Sequence, residues 1–204
     1  MIAIVDYDAG NLKSVEKALE FLGQESIITR NRKEILSADK VILPGVGAFG
    51  VAMENLKKYE LDKVIKEVTE KKTPFLGICL GLQLLFEGSE ESNGVEGLHI
   101  LDGEIVKIPE KPGLKIPHIG WNSLKLQNNG RLFQGISQEA FVYFVHSYYL
   151  KAREADIVKA QTEYGITIHA SVEKENVFAC QFHPEKSSSI GLKILENFAK
   201  AGEV

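Results

Sequence analysis

The sequence predicts an α/β fold: a layered sandwich with a central, mostly parallel sheet to which partly antiparallel strands are added. In the first half of the chain, short apolar runs alternate with segments whose apolar residues recur at helical spacing. Strands that alternate with helices pair in parallel through right-handed crossovers. In the second half, strand-like segments follow one another with only turns between them. The 204 residues are expected to form a single domain, residues 1–204.

Four strands are predicted in the first half. The apolar run at residues 2–6 stops at the turn-forming residues 7–11. Apolar residues then recur at helical spacing from Leu12, and Gly23 is predicted to end that helix in the left-handed conformation. The other predicted strands are Ser26–Thr29, 40–43 and 74–78, and the other predicted helices span about 51–72 and 80–87.

Strand-like segments also fill most of the second half, separated by turns of glycine, asparagine and charged residues. They lie at residues 103–108, 121–126, 141–150, 157–161, 166–171 and 177–182. Serines at 187–189 offer N-caps for a last helix, whose apolar positions are Ile190, Ile194, Leu195 and Phe198. This half is therefore expected to supply the added, partly antiparallel strands.

The composition argues against several classes of function. A formal charge of −4 without a Lys/Arg cluster gives no electrostatic footprint for nucleic acid. Apolar stretches such as residues 141–145 are far shorter than the roughly 20 residues of a membrane span, and the apolar N-terminus has no preceding basic residues, so we interpret it as a strand and not a signal peptide. Two cysteines suit free thiols in a reducing cytoplasm, and no metal site or cofactor is expected.

The strongest motif is Gly-Ile-Cys-Leu-Gly at residues 77–81, where an apolar strand meets a cysteine and a helix starts at once. The pattern is that of a nucleophile elbow with sulfur in place of oxygen. Such a turn strains the backbone, so its neighbours must lack a Cβ atom. At a helix N-terminus Cys79 would be favoured as a thiolate, with the N–H of Leu80 facing a developing oxyanion. The alternative is a buried structural cysteine.

A base for Cys79 is predicted in the sequence Phe-His-Pro-Glu that contains His183. Side chains at i and i+2 of a strand face the same side, so His183 and Glu185 would share a face if the chain stays extended across Pro184. Glu185 would then fix the tautomer of the imidazole. The alternative is a surface turn. By the same alternation, Cys180 falls on the opposite face and is expected in the core.

A glycine-rich segment, residues 44–50, follows the third strand and matches Gly-x-Gly-x-x-Gly. One hypothesis is a dinucleotide site, but that motif should follow the first strand, and the next strand should end in an acidic residue and not in Cys79. The other hypothesis is that the glycines let the backbone approach a substrate carbonyl and donate a second N–H to an oxyanion. Loops after neighbouring parallel strands open on one edge, so this loop and Cys79 are predicted to meet there.

The remaining histidines and the tryptophan are less informative. His146 ends an apolar strand and fits a cleft, while Trp121 fits either a core position or an exposed interface position. His99, His118 and His169 have no metal-ligand spacing, so core or surface positions are expected for them.

Together these motifs resemble the class I, triad-type glutamine amidotransferases and, within that class, the glutaminase subunits of imidazole glycerol phosphate synthase in histidine biosynthesis. The segments that carry the resemblance are DYDAGNL at 6–12, the loop at 44–50, GICLGLQLLF at 77–86, HIGWN at 118–122, FVHSY at 144–148 and HPEKSS at 183–188. The wider class shares the cysteine elbow and the His-x-Glu, whereas the first segment, HIGWN and HPEKSS are typical of the narrower group. The resemblance runs over the whole chain, with no departure at a catalytic position.

The resemblance implies a role for each matching residue. Cys79 would be the nucleophile, His183 the base and acid, and Glu185 the residue that orients His183. The oxyanion hole would be formed by the backbone at Val46, Gly47 and Leu80. The glutamine substrate would be held by Gly47, Gln83, Glu91, His146, Ser147 and Tyr148. The synthase subunit would be contacted by Ile119, Trp121, Asn122 and Lys186.

The implied activity is hydrolysis of L-glutamine to glutamate and ammonia through a cysteine thioester. The sequence shows no P-loop and no second domain for a phosphorylated acceptor, so the ammonia must be used on another polypeptide. The resemblance identifies that partner as a (β/α)8-barrel cyclase, which would form a heterodimer with this chain. Three alternatives stay open: the glutaminase of another ammonia-channelling synthase, such as that of pyridoxal phosphate synthesis; a hydrolase or protease without a partner; and a catalytically inactive binding module.

Overall fold

The computed structural model describes residues 1–202, and it confirms the predicted α/β fold. Its strands are β1 (Ile2–Val5), β2 (Ser26–Thr29), β3 (Lys40–Gly45), β4 (Phe75–Cys79), β5 (Gly103–Lys107), β6 (His118–Ser123), β7 (Lys125–Leu126), β8 (Phe141–His146), β9 (Tyr148–Ala152), β10 (Val158–Glu163), β11 (Thr167–Lys174) and β12 (Val177–Cys180). Its helices are α1 (Leu12–Phe21), α2 (Arg32–Ser37), α3 (Phe49–Lys58), α4 (Leu61–Glu70), α5 (Leu80–Gln83) and α6 (Ser188–Ala199). Short 3-10 helices lie at Glu90–Ser92, Arg131–Phe133, Ala155–Ile157 and Pro184–Lys186.

The central sheet has eight strands in the order β2-β1-β3-β4-β12-β11-β10-β7. From β2 to β12 every pair is parallel, as expected for strands joined through helices. Strands β11, β10 and β7 extend the sheet in antiparallel fashion. Two further antiparallel pairs, β5–β9 and β6–β8, lie outside it. The predicted combination of a parallel sheet with added antiparallel strands is therefore confirmed.

Alternate side chains of the parallel strands pack against helices on the two faces of the sheet. On one face, Val5 and Leu43 belong to a buried cluster with residues of α2, α3 and α4. On the other face, Ile4 and Ile42 belong to a cluster with residues of α1 and α6. Because both faces are covered, the inner strands β1, β3 and β4 are apolar at most consecutive positions and not only at alternate ones.

Two of the differences from the predicted elements in the first half concern helices α2, α3 and α4. Helix α2 was not predicted, because Ile35 is its only buried residue and leaves no periodic pattern; the side chain of Asn31 caps it by accepting the N–H of Lys33 at 2.9 Å. The helix predicted at 51–72 is two helices, α3 and α4. The break falls at Glu60, whose φ of 56° is left-handed and incompatible with a continuous helix.

The helix predicted at 80–87 is only one turn long, α5. The carbonyls of Leu84 and Leu85 accept the N–H groups of Leu98 and Ile100 at 2.8 and 2.9 Å, so this segment bonds to a neighbouring loop and does not continue the helix. The strand predicted at 141–150 is likewise two strands. β8 pairs with β6, whereas β9 pairs with β5. The chain therefore passes from one strand pair to the other at Ser147, between β8 and β9.

The tightest backbone packing lies where the turn after β4 crosses β3. A Cβ atom at Gly81 would lie 1.8 Å from the carbonyl oxygen of Leu43, and a Cβ atom at Gly77 would lie 2.7 Å from the carbonyl oxygen of Gly81. These distances are far below any real contact, so both positions require glycine. The two glycines of the elbow motif therefore let the turn lie directly against the sheet.

Replacing Gly81 with alanine should lower the free energy of unfolding by about 1–3 kcal/mol, because the backbone of the elbow or of β3 must move. Denaturant unfolding measures the change. Gly88→Ala is the matched control, since a Cβ atom there would meet the carbonyl oxygen of Val95 at an ordinary 3.4 Å. Equal stability of the two variants would contradict this explanation of the elbow.

Candidate active site

Cys79 ends β4 with φ 54° and ψ −108°, a backbone conformation that residues other than glycine rarely adopt. Its side chain lines a cavity although the residue is only 6% exposed. A strained cysteine between a strand and a helix is the geometry of a nucleophile elbow. Because α5 is a single turn, however, the helix dipole expected at the sulfur is small, and individual hydrogen bonds to it matter more.

Nδ1 of His183 lies 2.8 Å from Oε1 of Glu185, and both side chains are almost fully buried. The sequence predicted this proximity for the wrong reason. Pro184–Lys186 is a 3-10 turn and not an extended chain. His183 itself is extended, with φ −100° and ψ 98°, as is usual before proline. The tight turn then brings Glu185 back against the imidazole.

The second ring nitrogen of His183, Nε2, is buried and has no hydrogen-bond partner among residues 1–202. Burial by itself lowers the pKa of His183, but the neighbouring Cys79 and Glu185 outweigh it and raise the pKa above the ordinary value. An imidazole with a carboxylate on one nitrogen and a thiol near the other is the arrangement that yields a thiolate–imidazolium pair.

The glycine-rich loop opens beside Cys79, because the ends of β3 and β4 pair in parallel register. Val46 and Gly47 are exposed and line the same cavity. Gly47 has a φ of 109°, which glycine adopts far more readily than other residues. The hydroxyl of the buried Tyr7 donates to the carbonyl of Pro44 at 2.8 Å and holds the base of the loop. The loop and the cysteine thus lie together at one edge of the sheet.

The N-terminus of α3 rules out the dinucleotide hypothesis. The N–H of Phe49 donates to Oε2 of Glu91 at 2.8 Å, and the N–H of Gly50 donates to Oγ of Ser92 at 3.0 Å. These donors would have to bind phosphate in a dinucleotide site, but they are already bonded, one of them to a carboxylate that would repel phosphate. Glu91 therefore commits one carboxylate oxygen to α3 while its side chain also lines the cavity.

The cavity in front of Cys79 has a volume of about 320 Å³, which suits a ligand of amino-acid size. Every residue for which the resemblance implies substrate or oxyanion binding lies on its wall. The lining residues are Val46, Gly47, Cys79, Leu80, Gln83, Glu91, Pro117, Val145, His146, Ser147 and Tyr148. A depression of about 450 Å³ near Asn176, at the opposite edge of the parallel strands, contains no cysteine or other nucleophile paired with a base.

Two buried glutamines connect the cavity wall to the sulfur. Nε2 of Gln83 donates to the carbonyl of Tyr148 at 3.2 Å and to Oε1 of Gln181 at 3.1 Å. Nε2 of Gln181 donates in turn to Sγ of Cys79 at 3.6 Å. The sequence motifs do not single out Gln181, although it lies two residues before His183 and the alternation of a strand would point to it.

His146, His118 and Asn122 form a chain of hydrogen bonds that runs from the buried interior to the half-buried Asn122. Nδ1 of His146 donates to the carbonyl of Tyr148 at 2.8 Å, so its Nε2 accepts from Nδ1 of His118 at 2.9 Å. Nε2 of His118 then accepts from the Asn122 amide at 3.3 Å, and the His118 ring stacks on Tyr164. Burial lowers the pKa of His118 to about 4 and that of His146 to about 3, so both are neutral at pH 7.

Three of the four residues implied for partner contact are exposed. Ile119 is 58% and Trp121 is 52% exposed on β6, which excludes a core position for the tryptophan. Lys186 is exposed on the turn that follows His183. Asn122 is only half-buried, and its amide hydrogens already bond within the chain.

Cys180 is fully buried, as predicted, and burial raises the pKa of its thiol well above the ordinary value. Both cysteines are free. Over residues 1–202, no cluster of His, Cys, Asp and Glu side chains is arranged to hold a metal ion. Over the same residues, every helix is too short or too polar to cross a membrane.

A family model described as glutamine amidotransferase class-I matches residues 3–201. Solved structures agree with it: the glutaminase domain of Trypanosoma brucei CTPS has a TM-score of 0.68 at 20% identity, covering 100% of this chain and 95% of that one. PurLQS from Thermotoga maritima gives 0.71 at 20% identity, covering 98% and 97%. At such identities the structures show the fold alone, but the family match spans nearly the whole chain. The chain belongs to the class I glutamine amidotransferases.

Within that class, the chain is similar over its full length to proteins described as imidazole glycerol phosphate synthase subunit HisH. The protein of Methanocaldococcus jannaschii is 51% identical over 200 residues, covering 98% of this chain and 99% of that protein. The protein of Bacillus cereus is 52% identical over 198 residues, covering 97% and 93%. The chain therefore belongs to the HisH family, the glutaminase subunits of imidazole glycerol phosphate synthase in histidine biosynthesis.

The buried neutral histidines predict a loss of stability in mild acid. Burial lowers the pKa of His118, His146 and His169 below the ordinary 6.5, so the unfolded chain binds more protons than the folded chain as the pH falls below about 6.5. The free energy of unfolding should therefore decrease from pH 7 to pH 5. His183, whose pKa is raised, acts in the opposite direction: near pH 7 the folded chain already holds its proton and the unfolded chain holds it only in part, so its contribution to stability increases as the pH falls and offsets part of the loss.

Urea unfolding between about pH 5 and 7 measures this slope. In the His118→Gln variant, the slope of the free energy of unfolding against pH should decrease by the equivalent of about one proton, because one site of proton uptake is lost. Gly81→Ala is the control: it should lower stability at every pH and leave the slope intact. A His118→Gln slope equal to that of the parent protein would show that His118 is not buried in its neutral form.

Proposed function

We propose that this chain hydrolyses L-glutamine to glutamate and ammonia, as the glutaminase subunit of an imidazole glycerol phosphate synthase, and delivers the ammonia to a cyclase subunit. The observation that carries the proposal is that Cys79 and the glycine-rich loop line one cavity, while the buried His183–Glu185 pair lies against Cys79. Membership of the HisH family supports the same substrate. The proposal includes a cytoplasmic location, where two free cysteines stay reduced.

In the first half-reaction, the sulfur of Cys79 attacks the side-chain carboxamide carbon of glutamine. His183 takes the thiol proton and gives it to the departing nitrogen, so the C–N bond breaks, ammonia leaves and a glutamyl thioester remains. Oε1 of Glu185 accepts a hydrogen bond from Nδ1–H of His183 at 2.8 Å. That bond keeps Nε2 directed to the sulfur and stabilises the imidazolium that forms.

In the second half-reaction, His183 takes a proton from water as the water oxygen attacks the thioester carbon. The C–S bond breaks, glutamate leaves and the thiol of Cys79 is restored. Both halves pass through a tetrahedral oxyanion. We assign its stabilisation to the N–H of Leu80 and to the backbone at Val46 and Gly47, which line the cavity. Loss of one such donor typically costs about 100- to 1,000-fold in rate.

The cavity wall offers polar groups for the amino-acid end of glutamine. Gln83 uses its amide N–H groups internally, which leaves its oxygen as an acceptor, and Glu91 contributes a carboxylate. These acceptors suit an α-ammonium group. Ser147 and the backbone of Tyr148 form the opposite part of the wall. Both ring nitrogens of His146 are already bonded, so we assign it the task of fixing the wall and not of bonding the substrate.

Cys79→Ser should fold normally and lose essentially all glutaminase activity, because a serine hydroxyl in this site cannot be ionised as a thiol is. Release of glutamate from glutamine, measured with the cyclase subunit present, tests this. Cys180→Ala is the control, since Cys180 is buried in the core and should be dispensable for chemistry. Ordinary glutamate release by Cys79→Ser would end the proposal.

A partner must use the ammonia, because ammonia released into neutral water is protonated and lost as a nucleophile. The exposed apolar residues Ile119 and Trp121 lie on β6, which begins directly after Pro117 on the cavity wall. Lys186 is exposed and follows Glu185 in the turn after His183. We propose that these residues, together with Asn122, dock the mouth of the cavity onto a (β/α)8-barrel cyclase. The HisH relatives support this, since they are subunits of a synthase.

Trp121→Ala should weaken association with the cyclase subunit by roughly 10- to 100-fold, as expected for an aromatic residue central to an interface. Size-exclusion chromatography of the mixed subunits, followed by titration calorimetry, measures the change. Phe21→Ala is the matched control, because Phe21 is an aromatic residue 77% exposed on α1. Equal weakening by both substitutions, or by neither, would contradict the proposed docking surface.

A further inference from the structure

Gln181 is a buried amide at the sulfur that the triad mechanism leaves without a task. It lies between β12 and His183 and has no exposed surface. Its backbone N–H is bonded to the carbonyl of Ala170 at 2.8 Å, which fixes its position on the sheet. Its side-chain Nε2 donates to Sγ of Cys79 at 3.6 Å, a normal length for an N–H···S hydrogen bond.

The direction of this hydrogen bond follows from the groups around it. The carbonyl of Tyr148 can only accept, so the NH2 group of Gln83 must face it, at 3.2 Å. The same NH2 group lies 3.1 Å from Gln181, so the atom of Gln181 that faces it is the oxygen. The NH2 group of Gln181 must then face Cys79. Two buried carboxamides therefore hold one N–H donor on the sulfur.

The sulfur otherwise has little to stabilise a negative charge. The carbonyl of Val145, 3.9 Å away, can accept from a thiol but repels a thiolate. Helix α5 is a single turn and contributes only a small dipole. His183 stabilises the thiolate while it is protonated, but it gives that proton to the departing ammonia. A donor that cannot lose its proton would stay on the sulfur at every stage of the reaction.

We propose that Gln181 is a further catalytic residue, whose side-chain N–H, oriented by Gln83, stabilises the thiolate form of Cys79. The inference rests on the proposed function, since it takes Cys79 to be the nucleophile. Hydrogen bonds to a charged acceptor are roughly twice as strong as neutral ones. The donor favours the attacking thiolate and again favours the sulfur as it leaves the thioester carbon. A purely structural role, in which Gln83 and Gln181 only satisfy each other, predicts no effect on the reactivity of the sulfur.

The test is the rate at which iodoacetamide alkylates Cys79 in the isolated chain, measured against pH, with mass mapping to separate Cys79 from Cys180. In Gln181→Met, which keeps the length of the side chain but removes the donor, the midpoint of the profile should move up by about one pH unit, with about tenfold slower alkylation near neutral pH. Gln181→Glu, which places a carboxylate beside the sulfur, should move it further.

Gln161→Met is the matched control. Gln161 accepts from the amide of Gln127 at 2.5 Å in a similar glutamine pair away from Cys79, so its loss should leave the profile unchanged. Folded Gln181 variants with the parental midpoint would overturn the proposal. Unfolding of both Gln181 variants, judged by circular dichroism, would also overturn it, since the role would then be structural. Failure of the parent protein to react at Cys79 would instead count against the proposed function.

Discussion

The contact between the backbone of Gly81 and the carbonyl of Leu43 is the constraint on which the site depends. A Cβ atom would not fit between them. Because Gly81 has none, the chain can turn directly against the sheet as it leaves β4. At this turn Cys79 has a strained backbone conformation with a positive φ, and its side chain lies at the cavity. Helices packed on both faces of the parallel strands hold this strain in place. The position of the nucleophile is thus a consequence of backbone packing.

The polar part of the site is organised around one backbone carbonyl. The oxygen of Tyr148 accepts from His146 on one side and from Gln83 on the other, and each of these bonds fixes the direction of the next. One branch leads through His118 to Asn122, both on β6, and the other leads through Gln181 to the sulfur. Buried hydrogen-bond networks of this kind are rigid, so the polar wall of the cavity is set before substrate arrives.

The sequence predicts those features that depend on local patterns. Continuous apolar runs located the parallel strands, and apolar residues at helical spacing located the first and last helices. The glycines on either side of Cys79 located the elbow. Features that depend on long-range contacts were missed or misjudged. The helix at 80–87 stops early because a loop 14 or more residues away bonds its carbonyls. His183 meets Glu185 through a 3-10 turn that strand alternation does not describe. Pro117 and Val145 reach the cavity only because β6 and β8 pair beside it.

The proposed mechanism requires that Cys79 carries the glutamyl group during glutamine hydrolysis. Acid quenching of the enzyme during turnover with glutamine, followed by peptide mass mapping, tests this most directly. A glutamyl adduct is expected on the peptide that contains Cys79, and it should disappear when glutamine is exhausted and accumulate when deacylation is slowed. Glutamate formation without an adduct on that peptide, or with an adduct on another residue, would contradict the mechanism.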